Sequence, residues 1–192
     1  MVWSKAGSTT LGSAGDLITV SSLSNNKFYM VIMDNIDTGS VNEGISMGSG
    51  SVDSGSNYAS RESYNGTTDL GRTSQTHIYW NLNSVKSFHV GYINNISGEE
   101  KLSIAFGAGQ NTAGAGNAPN RHETVGKWVN TSNPIDTIAG SNLGAGSFNT
   151  DSTVSVLGSD GVESLNVQDG AVYYETDTNK SYVLSGTTWS EL

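Results

Sequence analysis

The chain has 192 residues, with 9 Lys+Arg against 18 Asp+Glu for a net charge of −9, and no cysteine. This is enough chain to bury a core in one sizeable domain, or in one domain with a small appendage. Cations this few and scattered speak against nucleic acid and anionic membranes as partners, and the absence of cysteine excludes disulfides and thiolate sites.

Composition sets the class. Ser, Thr, Asn and Gly number 29, 18, 19 and 24. Their side chains compete for backbone hydrogen bonds, weaken helices and favour short strands and turns. In chain order, strands are expected at DLITV (16–20), KFYMVIM (27–33), HIYW (77–80) and SFHVGYI (87–93). KLSIAF (101–106), TVGKWV (124–129), IDTI (135–138) and STVSVL (152–157) follow. SFHVGYI alternates Phe88, Val90 and Tyr92 with His89 and Gly91, and KLSIAF alternates Leu102, Ile104 and Phe106 with Ser103 and Ala105. Asn65-Gly66, after YASRES (58–63), is a hairpin-turn signal. GISMGSGSVDSGSN (44–57) and GAGQNTAGAGNAPNR (107–121) read as flexible connections. No window carries a sustained 3.6-residue period with a cap.

The chain ends in AVYY (171–174), a DTNK turn, SYVL (181–184) and Trp189, a β-hairpin with a closing aromatic anchor. The expected fold is all-β: an antiparallel β-sandwich of jelly-roll type over 1–158, with a C-terminal β-hairpin appendage over 159–192. A hinge is expected around Gly158-Ser159-Asp160-Gly161.

Little here points to catalysis. His77, His89 and His122 lack metal-ligand spacing, most acids stand singly in turns, and no nucleophile elbow, phosphate loop or dinucleotide fingerprint occurs. Oxygen donors cluster at Asp34-x-x-Asp37 and at Glu175-x-Asp177-x-Asn179, but a turn explains the second more simply than a cation. No enzyme, cofactor or metal site is expected. Trp3, Trp80, Trp128 and Trp189 with eight Tyr suit core and interface anchoring, with a sugar-stacking platform as the alternative.

The terminal ETDTNK…SYVLSGTTW segment resembles a hairpin recurring in structural proteins of tailed phages and archaeal tailed viruses. TTLGSAGDLITVSSL (9–23), SGSNYASRESYNG (54–66), NISGEEKL, QNTAGAGNAPNR and VGKWVNTS extend the likeness over most of the chain, to β-rich virion proteins of marine tailed viruses. The resemblance implies a non-enzymatic structural protein of the virion: a head decoration or turret, a capsid-associated protein, or a tail or fibre component. It would self-associate, as a trimer ahead of a dimer, and dock on other virion proteins. The alternative is a host-glycan-binding adhesin. Virion localisation fits the N-terminus MVWSKAGSTTLGSAGD, which has no apolar run of signal-peptide length. Residues expected at interfaces are Arg121, Lys127, Trp128, Tyr173, Tyr182 and Trp189.

Overall fold

The computed structural model describes residues 2–38, 41–82, 85–160, 169–186 and 188–192. The chain divides into two compact units, Trp3–Asp160 and one formed by Met1–Val2 with Gly161–Leu192. Of the hinge expected at 158–161, residue 161 lies outside the described residues.

The larger unit is an antiparallel β-sandwich. Its large sheet runs β1 (Ser4–Thr10), β14 (Thr153–Ser159), β3 (Phe28–Thr38), β9 (Lys86–Asn94), β10 (Lys101–Gln110), β11 (Asn120–Trp128), β6 (Tyr58–Tyr64) and β7 (Leu70–Gln75), with β13 (Ser147–Phe148) also paired to β3. The smaller sheet runs β2 (Leu17–Val20), β12 (Thr137–Asn142), β4 (Glu43–Ser49) and β5 (Ser51–Val52), with β8 (Ile78–Tyr79) on β4. Between the sheets lie Ile18, Val31, Met33, Ile45, Met47, Ile138, Val154 and Val156, each 3% exposed or less. Two buried tyrosine hydroxyls are tied to backbone. The Tyr29 hydroxyl donates to the Ser24 carbonyl at 2.6 Å, and the Tyr58 hydroxyl donates to the Met47 carbonyl at 2.7 Å.

The hairpin signal at Asn65-Gly66 is realised with both residues at positive φ, 50° and 77°, joining β6 to β7. Two expected connections are corrected. Of GISMGSGSVDSGSN, residues 44–49 are not a flexible linker but most of the buried strand β4, whose small residues let it pack between neighbours, and Ser51–Val52 form β5. The Gly-rich 107–121 stretch shrinks to a loop over 111–119, because β10 and β11 extend into it from both sides.

A half-buried strand normally turns its apolar set toward the core. β9 and β10 do the reverse. Their core-facing residues are Ser87, His89, Gly91 and Ile93, and Lys101, Ser103, Ala105 and Gly107, while Phe88, Tyr92, Leu102, Ile104 and Phe106 face outward. The cause lies on the other side of the core. The segment carrying β8 drives Ile78, Trp80 and Leu82 into the interior, all at 0% exposure. They fit because the large sheet is shaved smooth beneath them. A Cβ on Gly91 would lie 2.5 Å from the Trp80 ring, one on Gly126 2.5 Å from Ile78, and one on Gly107 2.4 Å from His89 and 3.0 Å from Leu82. Even Lys101 is 0% exposed, its Nζ donating to the Ile96 and Glu99 carbonyls at 2.7 and 2.9 Å, and burial pushes its ammonium below the usual value.

The smaller unit is a three-stranded antiparallel sheet: β15 (Val172–Glu175), β16 (Lys180–Ser185) and β17 (Thr188–Glu191), in that order. The expected hairpin thus gains a third strand, which carries Trp189. Tyr173 stacks on Tyr182 at 6.3 Å between centroids and meets the Trp189 edge at 6.1 Å. A sheet this small is marginal in water, and each such aromatic pair contributes about 1 kcal/mol. Trp189→Ala is therefore expected to loosen residues 171–192, seen as faster limited proteolysis of the tail. Trp80 and Trp128, buried in the other unit, should keep their emission. A tail as protease-resistant as the parent's would contradict this account.

Candidate functional site

The inverted alternation leaves a broad apolar face on the outside of the large sheet. Cross-strand register aligns it into rows. Leu157, Met30, Tyr92, Ile104 and Val125 stand in register across β14, β3, β9, β10 and β11. A neighbouring row holds Ile32, Val90 and Phe106, and ends on Glu123. Trp3 extends the patch, its ring tilted against Tyr92 at 6.1 Å. Phe88, Tyr92, Leu102, Ile104, Phe106 and Val125 are 48, 40, 55, 49, 58 and 50% exposed. With strands about 4.8 Å apart and rising about 3.3 Å per residue, the patch covers on the order of 500 Å², at the upper end of what monomeric proteins leave bare. A shallow groove of about 530 Å³ crosses it between Ala59, Gly71, Leu102, Ile104, Val125 and Lys127.

Charged residues rim this face, mostly in pairs: Lys86 with Asp34 at 3.9 Å, Arg121 with Glu123 at 3.5 Å, and Lys127 with Glu100 at 2.7 Å. Arg121 and Lys127, two residues expected at an interface, thus stand at the rim of the apolar face. Trp128 does not. It is 1% exposed, stacked on Tyr58 at 6.3 Å with its Nε1 donating to Asp53 at 2.8 Å, and serves as a core anchor. Trp80 is likewise fully buried, so neither indole offers the sugar platform weighed from sequence. Tyr173, Tyr182 and Trp189 belong to the small terminal sheet. Asp34 and Asp37 point to opposite sides of β3, one exposed and one buried, and do not converge on a cation.

Two polar clusters escaped the sequence reading because their members are far apart in the chain. At the β6, β7 and β11 end, a pocket of about 320 Å³ is lined by Glu62, Tyr64, Thr67, Arg72, Asn81 and His122. Arg72 Nε donates to Glu62 at 2.6 Å, His122 Nε2 lies 3.2 Å from the second carboxylate oxygen, and the guanidinium sits 4.0 Å over the Tyr79 ring. Burial works to raise the Glu62 carboxyl, but the His122 and Arg72 contacts outweigh it and hold the group below its usual value. Stability from this pairing is therefore present above the ordinary glutamate range and lost as pH falls through the depressed value. Arg72→Ala is expected to cost about 1 kcal/mol at pH 7, since the guanidinium is partly solvated, with the loss shrinking as acid protonates Glu62. Urea midpoints along an acid series test this; a loss that does not shrink would assign it to packing on Tyr79.

The second cluster is inside the sandwich. Glu43, at 0% exposure, accepts from Asn35 Nδ2 at 3.1 Å, from the Leu82 N–H at 2.9 Å and from the Ser87 hydroxyl. His89 Nε2 stands 3.5 Å from Glu43 Oε1. Burial raises the Glu43 carboxyl, but these partners win and hold it below its usual range. Asp37, 7% exposed, has no hydrogen-bond partner on either carboxylate oxygen among the described residues. Burial and then the Glu43 charge push its carboxyl up to about 8.

The fold and this face define a β-sandwich with one apolar, outward-facing sheet surface. Comparisons with protein-family models, curated proteins and solved structures find no match to this chain.

Proposed function

We propose that this chain is a non-catalytic structural protein that works by docking through the outer face of its large sheet. The observation that carries this reading is the inverted alternation of β9 and β10, which commits bulky apolar side chains to the outside. A one-residue slip would move all of them to the opposite face, so register is a choice between two buried surfaces. A sequence that packs Gly91, Ala105 and Gly107 inward and Phe88, Ile104 and Phe106 outward makes most sense when something covers the outside. The resemblance of its segments to virion proteins of tailed viruses supplies the setting: head decoration, capsid-associated or tail component, with other virion proteins as further partners. Mass spectrometry and imaging of purified particles test the setting. Absence of the chain from the particles would remove it.

A second reading, binding of a host glycan, draws on the pocket at Glu62, Arg72 and His122, whose hydroxyl, amide and guanidinium groups suit a polyol. A glycan array with Arg72→Ala as the control tests it; a signal unchanged in that variant would place the glycan elsewhere.

A further inference from the structure

We infer that the occupant of the apolar face is the same face of a second copy, the two large sheets packing against each other around a two-fold axis. The inference rests on the docking reading above and names its partner. Three features of the face carry it. The first is size. Eight strands about 4.8 Å apart and about 25 Å long give a face of roughly 800 Å², which is what each partner buries in a stable interface. A short peptide would leave most of it bare. The second is shape. A twisted sheet packs best on another sheet of the same twist at an angle of about −30°, and a second copy brings an identical twist.

The third is charge. A chain of net charge −9 is repelled by its own copies unless the contact surface is exempt. Five of its nine cations, Lys5, Arg61, Lys86, Arg121 and Lys127, lie on strands of this sheet and point outward with the apolar set. They face the acids Asp34 and Glu123 on the same side, with Glu100 at its edge. The face thus carries no net negative charge, with an apolar centre and a polar rim in which Lys86, Arg121 and Lys127 are each paired with an acid, the anatomy of an interface. A surface matched to itself closes a two-fold pair, whereas a trimer requires two different surfaces on each copy. The pair replaces the three-fold arrangement expected from sequence as the first unit of assembly.

The full chain supplies the test, helped by its lack of cysteine. Sedimentation should show a concentration-dependent dimer. Phe106→Glu, which at a 58% exposed position should melt like the parent, should weaken the dimer on the order of 100-fold by burying a charge at its centre. Ile104→Cys should cross-link two copies on mild oxidation, and Leu17→Cys, exposed on the smaller sheet, should not. A strict monomer at high concentration overturns both the inference and the self-association behind it, and a monomer that instead pellets with anionic vesicles assigns the face to lipid. A parent that associates while Phe106→Glu associates equally well, with no Ile104 cross-link, overturns the face-to-face pairing alone.

Discussion

Gly91→Ala is expected to destabilise the sandwich by about 2–3 kcal/mol, the cost of overpacking a close-fitted core. The added methyl would stand 2.5 Å and 2.6 Å from Cζ2 and Cη2 of Trp80 and 3.2 Å from the Ala105 methyl. None of these neighbours can give way easily. The indole is rigid and 0% exposed, and Ala105 lies on the adjoining strand at 2% exposure. No left-handed backbone is involved at Gly91, so the effect is steric and separable. Trp80→Phe alone should also destabilise, by leaving a cavity. In the double variant the smaller ring makes room for the methyl, so the combined loss should fall short of the sum of the single losses by at least about 1 kcal/mol. Denaturant midpoints of the four proteins measure this coupling. Strict additivity would mean that the two groups are not in the contact described.

The same contact explains what could be read in the sequence and what could not. Strand positions were legible wherever β-branched and aromatic residues cluster, as in β3, β9, β10 and β14. Which face of β9 and β10 points inward was not, because the answer lies in Ile78, Trp80 and Leu82, a segment that looks like one more short strand. Strand β4 was missed for a related reason. Gly44, Ser46 and Gly48 read as linker composition, yet a buried strand between close neighbours needs small residues; a Cβ on Gly44 would lie 1.9 Å from the His77 ring. At the site, Arg121 and Lys127 were reachable as charged strand residues beside a long loop. The Glu62–Arg72–His122 group was not, since pairing β11 with β6 in one particular register brings His122 within reach of Glu62. Trp128 misled because aromatic residues serve cores and interfaces equally well, and only its hydrogen bond to Asp53 and stacking on Tyr58 decide between them.

Asp37→Asn is expected to stabilise the protein at neutral and alkaline pH. In the folded chain this carboxyl is pushed up to about 8 from its ordinary 3.8, first by burial and then by the nearby charge of Glu43. The folded state therefore holds a proton that the unfolded chain releases at low pH. The sign follows directly: between about pH 4 and pH 8 the folded state binds more protons, so stability falls as pH rises through this interval. Below the lower limit the group is neutral in both states and contributes no penalty. An amide of nearly the same shape mimics the protonated acid and cannot ionise. The variant should equal the parent near pH 4 and exceed it progressively, by about 2–4 kcal/mol at pH 7. Neighbouring Glu43 behaves oppositely, its depressed value adding stability that is lost on acidification, so the parent's stability should peak in mildly acidic solution. Chemical denaturation of both proteins from pH 4 to pH 9 tests the pair of slopes. A parallel offset between the two curves would show that Asp37 is already ionised in the fold, and an Asp37→Asn protein less stable than the parent at pH 8 would show that the buried carboxylate has a partner the amide cannot replace.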